Sequence, residues 1–224
     1  MQEYQNNIIT IDGPAGAGKT SVAREVAHRL GWNYLDTGAL YRAITYRALK
    51  DKINLDDKRR LVSIARSIKF DVRTVKSNLR ILVNSEDITE KIRSPRVTEN
   101  ASIVAAVDGV RKILRSTQRQ LAGGGRMVVE GRDIGTMVFP RVKFKFYLDA
   151  SITERAKRRW KDLKASGREV DIEEIKQAIA KRDERDTKRG LCPLRVPENA
   201  YVIDSTLLSQ AQVVDIIVSR VENG

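Results

Sequence analysis

The chain has 224 residues, 41% hydrophobic and 5% aromatic, and 42 Lys and Arg against 29 Asp and Glu give it a net charge of +13. That length suits a single α/β domain carrying insertions. No apolar run approaches the ~20 residues of a membrane span, and the stretch from Met1 to Asn7 lacks the charged-then-apolar layout of a secretory leader, so a cytoplasmic protein with no membrane partner is expected.

The first predicted element is the apolar strand Ile8-Ile9-Thr10-Ile11-Asp12, which runs straight into Gly13-Pro14-Ala15-Gly16-Ala17-Gly18-Lys19-Thr20. Glycines let such a loop aim successive N–H groups inward, and the N-terminus of the helix that follows adds its partial positive charge to the same cavity. Glycine-rich turns also occur as plain strand-to-helix loops. Here Val22, Val26 and Leu30 follow at helical spacing and Gly31 ends the helix, which is the context a nucleoside triphosphate site requires. Lys19 would reach the outer phosphates and the Thr20 hydroxyl a magnesium ion. His28, the one histidine, falls near the end of this helix at a position read as surface.

Trp32 to Leu35 reads as a second strand, and Asp36-Thr37-Gly38 as a loop opening the helix that holds Leu40, Ile44 and Leu49. Leu61, Ile64, Ala65 and Ile68 predict another helix over 57–67. The period then changes to two: Ile68, Phe70 and Val72, a turn at Lys76-Ser77-Asn78, then Leu79, Ile81 and Val83 predict an antiparallel hairpin. Ser94-Pro95 caps a helix running to about Ala106, and a further helix from Asp108 buries Val110, Ile113, Leu114 and Leu121 before Gly123-Gly124-Gly125 stops it. Met127-Val128-Val129 is a short continuous apolar run of the kind found inside a parallel sheet, ending at Glu130-Gly131-Arg132-Asp133.

Val142, Phe144, Phe146 and Leu148 alternate with Lys143, Lys145 and Tyr147, which predicts a strand nearer an edge. Ser151-Ile152-Thr153-Glu154 matches a capping box and opens a very basic helix closed by Gly167. Asp171 caps the next, with Ile172, Ile175 and Ile179 facing inward and Arg182, Asp186 and Arg189 sharing one exposed face. The lone Cys192, beside Pro193, reads as packing and cannot form an internal disulfide. Val202-Ile203 is a last strand, and Ser209 to Gln212 caps a final helix burying Val213, Ile216, Ile217 and Val221. The expected architecture is α/β, a five-stranded, mainly parallel sheet of the P-loop NTPase type with helices on both faces.

Ligands in such sheets bind beyond the carboxyl ends of the strands, where Asp36-Thr37-Gly38 and Gly131-Arg132-Asp133 join the phosphate loop. Arg42 and Arg132 could each be a surface ion pair. Beside a phosphate loop, however, they favour an acceptor that is itself phosphorylated, held by forked, charge-assisted hydrogen bonds. No apolar run ending in aspartate offers a second metal carboxylate, which leaves Asp36 and Asp133 as candidate outer-shell partners. The basic charge also suits nucleic acid, but the arginines are spread over several helices and the stacking aromatics of single-strand binders are few, so no nucleic-acid partner is expected.

Five stretches carry a family resemblance: Gly13-Pro14-x-Gly16-Ala17-Gly18-Lys19, Leu35-Asp36-Thr37-Gly38-Ala39-Leu40-Tyr41-Arg42, Asn100-Ala101-Ser102, Glu130-Gly131-Arg132-Asp133-Ile134-Gly135-Thr136, and Arg182-Asp183-x-Arg185-Asp186. From Ile8 to about Thr206 the chain resembles the bacterial cytidylate kinases. The resemblance implies one P-loop kinase domain over 1–224, with a monophosphate-binding insertion at roughly 37–108, which holds the small antiparallel sheet, and a helical lid at roughly 155–190. It implies ATP bound by Gly13, Pro14, Ala15, Gly16, Ala17, Gly18, Lys19, Thr20 and Ser21, with Mg2+ near Thr20 or Ser21. Ser102, Arg111 and Asp133 would read the cytosine of CMP or dCMP. Thr37, Tyr41, Arg42 and Arg132 would hold the acceptor phosphate, and Arg182, Asp186 and Arg189 would reach sugar and phosphates as the lid closes. Lys19, Arg132, Arg182 and Arg189 would carry catalysis, in a monomer. An Asp133 that merely pairs with a nearby arginine is the structural alternative. The rival functions are a P-loop kinase for UMP or shikimate and a basic RNA-binding NTPase.

Overall fold

The computed structural model describes residues 6–75, 78–165 and 167–224, so Met1 to Gln5 and the Lys76-Ser77 part of the expected turn lie outside the described residues. Strand β1 (Ile8–Asp12) is completely buried and leads through the glycine loop into helix α1 (Lys19–Leu30). Strand β2 (Asn33–Asp36) passes directly into helix α2 (Thr37–Lys50). There is no intervening loop at 36–38. Asp36 is the last strand residue and also the helix cap, its carboxylate accepting from the Ala39 N–H at 3.1 Å, as short acidic side chains do at helix starts.

Helix α3 (Lys58–Ser67) is capped by Asp57, and β3 (Phe70–Val75), β4 (Asn78–Val83) and the two-residue β5 (Glu86–Asp87) form a separate antiparallel sheet. Helix α4 (Pro95–Ala105) begins with proline in its first turn, but the Ser94 hydroxyl makes no capping bond. Helix α5 (Asp108–Ala122) follows, then β6 (Met127–Gly131), a wide turn over Ile134–Val138, and β7 (Phe144–Asp149). Helices α6 (Ile152–Ala165) and α7 (Ile172–Thr187), strand β8 (Tyr201–Asp204) and helix α8 (Gln210–Glu222) complete the chain.

The main sheet has five strands in the order β2-β6-β1-β7-β8, and every pairing in it is parallel. Strand β7 therefore pairs on both sides and the edge is β8. Its lysine-bearing face is covered: Lys145 is buried, with its ammonium donating to the Glu198 carbonyl at 3.1 Å. Side chains alternate across β1, so that Ile9 and Ile11 join the cluster beneath α1, α2 and α8, while Ile8 packs with Leu35, Val129 and residues of the 134–142 segment on the other face. Both faces are thus closed by apolar burial at about 25 cal/mol per Å2.

Helices α6 and α7 make their own small core from Ala156, Ile175 and Ile179, with Trp160 and Leu163 against it. Ile172 stands at the start of α7 and is exposed, not buried. Only half of the expected box forms at Ser151: its hydroxyl accepts the Glu154 N–H, but the Glu154 side chain turns to Arg158 instead. The box at Ser209 and Gln212 is complete.

Candidate active site

The glycine loop can follow its path only because position 13 lacks a side chain. Gly13 has φ +149°, and a Cβ there would sit 2.0 Å from the Leu148 carbonyl oxygen on β7. Gly18, in the left-handed region, caps α1 with no side-chain bond and no acidic residue in the first turn, so the first N–H groups of the helix face the loop cavity. Lys19 is buried there and its ammonium donates to the Pro14 carbonyl at 2.6 Å. Burial and the nearby charges of Arg132 and Arg182 push its pKa down to about 7.

The loop opens into one cavity of about 1060 Å3, which Asp36, Thr37, Tyr41 and Arg42 line from α2, and Arg132 and Asp133 from the segment after β6. Ser102 and Arg111 wall the same space from α4 and α5, and Arg182, Asp186 and Arg189 from α7 and the residues beyond it. Every residue expected to bind either nucleotide, apart from the first turn of the glycine loop at Gly13-Pro14, lines this cavity. One expectation fails. Arg182, Asp186 and Arg189 do not form an exposed face: Asp186 is buried, and Arg189 lies past the end of α7, which stops at Thr187.

The arginines are held by carboxylates. Arg42 pairs with Asp36 at 2.6 Å, Arg132 with Asp186 at 3.1 Å, and Arg111 with Asp133 at 2.5 Å. Against the effect of burial, Arg132, Arg189 and Arg182 hold the Asp186 carboxyl below its usual range. Burial and the charge of Arg132 lower Arg182 to about 10, which leaves it cationic at neutral pH. Arg111 also lies over the Tyr41 ring, 5.5 Å from its centroid. Ser102 Oγ, Arg111 Nε, Arg182 Nε and one terminal nitrogen of Arg189 are buried without a hydrogen-bond partner among the described residues. Buried polar atoms are normally paired. Four such atoms around one cavity mark it as built for a polar ligand.

Two acidic residues stand in the quoted stretches without an expected role. Glu130, at the end of β6, is buried and accepts the Thr20 hydroxyl proton at 2.6 Å, while the Thr37 hydroxyl donates to its backbone carbonyl at 2.8 Å. Burial and the charge of Asp36 push its carboxyl up. The run Met127-Val128-Val129-Glu130 is therefore the missing apolar run, ended by glutamate instead of aspartate. Asp36 and Asp133 are engaged with arginines, and Glu130 is the carboxylate beside Thr20. A hydroxyl and a carboxylate oxygen at the mouth of a phosphate loop fit a hard cation such as Mg2+. Among the described residues no group of three or more His, Cys, Asp or Glu could hold a metal ion.

Asp183 is the second. It accepts the Ala15 N–H of the glycine loop at 3.3 Å and also pairs with Arg155, whose guanidinium donates to the Ala15 carbonyl at 3.0 Å and to Ala150 at 2.9 Å. The α6–α7 pair is thereby fastened onto the loop.

A phosphate loop on a parallel five-stranded sheet, facing an arginine-lined chamber for a second anionic group, defines a phosphotransferase of the P-loop kinase class. The family model described as cytidylate kinase matches residues 9–223. The chain belongs to the cytidylate kinase family. It is 46% identical over 207 residues to the cytidylate kinase of Caldanaerobacter subterraneus subsp. tengcongensis, covering 92% of this chain and 91% of that protein. The cytidylate kinase of Geobacillus sp. strain WCH70 is 45% identical over 97% of each chain. Among solved structures, an uncharacterized protein from Eubacterium ventriosum shares the fold with a TM-score of 0.51 at 13% identity, covering 98% of this chain and 100% of that one.

Proposed function

We propose that the chain transfers the γ-phosphoryl group of ATP to CMP and dCMP, giving CDP or dCDP and ADP, by direct in-line displacement. The observation that carries this reading is the single cavity, with a phosphate loop at one end and the buried, unpartnered Ser102 Oγ and Arg111 Nε beside Asp133 at the other. The acceptor needs no general base, because a phosphate monoester with a second pKa near ~6 is already largely dianionic at neutral pH. Catalysis is then positioning and charge neutralisation.

The donor phosphates lie on the loop 13–21, with Lys19 turning from the Pro14 carbonyl to the outer phosphates. Thr37, Tyr41, Arg42 and Arg132 hold the acceptor phosphate, and Arg132, Arg182 and Arg189 spread positive charge over the transferring group. Mg2+ bound with ATP supplies Lewis-acid neutralisation of phosphate charge, and Thr20, oriented by Glu130, is the residue to hold it. Asp133 accepts from the cytosine amino group while Ser102 and Arg111 donate to the ring acceptors; uracil presents an acceptor to that carboxylate and is disfavoured. The α6–α7 pair closes over the reacting groups and excludes water.

ADP formation measured with ATP and Mg2+ against CMP, dCMP, UMP, AMP and shikimate tests the reading. CMP and dCMP should support turnover and the others little; equal rates with UMP or shikimate would remove the base-reading roles of Ser102, Arg111 and Asp133.

A further inference from the structure

Asp12 is the last residue of β1 and immediately precedes Gly13, the first glycine of the phosphate loop. It is fully buried, yet it touches neither chamber of the cavity. Its two carboxylate oxygens have separate partners: Oδ1 accepts the Ile134 N–H at 2.8 Å and Oδ2 the Gly135 N–H at 2.7 Å. Those two amides open the wide turn that follows Arg132 and Asp133, and Asp12 sits opposite Gly131 in the β1–β6 register. A buried carboxylate carries a heavy desolvation cost. Packing alone would be served better by an apolar side chain, so the acid is explained by the two amides it holds.

The fit is close from the other side as well. A Cβ at Gly135 would lie 3.0 Å from Thr10 Oγ1, 3.0 Å from Pro197 Cγ and 3.2 Å from Asp12 Oδ2. The strand that fixes the donor loop thus grips, through one side chain, the segment that presents Arg132 to the acceptor phosphate and Asp133 to the base. We propose that Asp12 is a positioning residue for the acceptor nucleotide, setting its affinity and base choice by fixing the Arg132-Asp133 segment relative to the phosphate loop without touching either substrate. This rests on the acceptor-site assignment made above.

Asp12→Asn is the test. Asparagine can satisfy only one of the two amides and turns an NH2 group against the other. The KM for CMP should rise by about tenfold or more, as expected for losing a charged hydrogen bond, and the CMP-to-UMP ratio of specificity constants should fall. Binding of a non-hydrolysable ATP analogue, measured by equilibrium titration, should stay near the wild-type value. Gly135→Ala, which keeps the carboxylate but crowds it, should give the same split. In the wild type, the Ile134 and Gly135 amides should exchange hydrogen as slowly as those of β1, a measurement that stands even if a variant does not fold. Equal weakening of CMP and the ATP analogue, an unchanged KM for CMP, or fast exchange at both amides would overturn the proposal. Arg132→Ala separates the two layers: if it leaves CMP binding unchanged the acceptor-site assignment itself is wrong, whereas a large effect of Arg132→Ala beside a silent Asp12→Asn defeats only the role of Asp12.

Discussion

At the scale of single residues, the chamber proposed to take the acceptor is a set of arginines held in place by carboxylates, and Asp133 stands at its most informative point. It pairs with Arg111 at 2.5 Å, so it orients an arginine whether or not it also reads the base. The two roles separate in kinetics. Asp133→Ala should lower the CMP-to-UMP ratio of specificity constants by about tenfold or more if the carboxylate accepts from the cytosine amino group; a constant ratio with both constants reduced leaves it only the orienting role. Arg132→Ala should weaken CMP by roughly 1.5–3 kcal/mol and ATP far less, as separate titrations would show. Asp12 also marks the pH dependence of stability. Burial raises its pKa from 3.8 to about 7, with Asp133 adding to the rise and the two backbone amides opposing it. Between those values the folded protein holds a proton that the unfolded chain has released, so this group's contribution to stability falls as pH rises through that window and is level above it. Chemical denaturation of wild type and Asp12→Asn from pH 4 to 8 should show the wild type losing ground until about pH 7; a difference that stays constant or grows would contradict the shift.

At the scale of elements, α7 carries Arg182 into the cavity, and the bonds from Asp183 and Arg155 to Ala15 fasten it to the phosphate loop. If the α6–α7 pair closes over the site as proposed, Asp183→Ala should lower kcat by about tenfold or more and raise ATP hydrolysis without acceptor relative to transfer, because a loosened pair would admit water. Comparing ADP formed with CDP formed would check it; a normal ratio with normal kcat would leave the clasp without function. The elements themselves were largely legible, since continuous apolar runs gave β1 and β6, and 3.6-residue spacing gave α1, α3 and α5. Strand β7 lies next to the edge strand β8, as its alternation suggests, but lysines on alternate positions read as a solvent face, whereas Lys145 is buried against the Glu198 carbonyl contributed from 53 residues away. Helical spacing put Arg182 and Asp186 on one face correctly, but the direction of that face depends on how α7 lies over the crevice, which no local pattern states. Glu130 was readable from its apolar run. Asp12 was not, since its partners lie 122 and 123 residues along the chain.

At the scale of the whole molecule, the net charge of +13 is spread over many helices, but cations from several of them converge on the cavity where two anionic nucleotides are proposed to meet. Arg42, Arg111, Arg132, Arg182 and Arg189 all line it, together with Lys19. In the proposed mechanism, bringing both nucleotides into that space would convert their reaction into an intramolecular one, with no covalent intermediate on the protein. Initial rates of ADP formation, with ATP and CMP varied together in the presence of Mg2+, address this directly. Double-reciprocal lines that intersect, with ADP formation dependent on CMP and matched by CDP, are the predicted result. Parallel lines, or ADP released at the same rate without CMP, would contradict direct transfer between two nucleotides in one site.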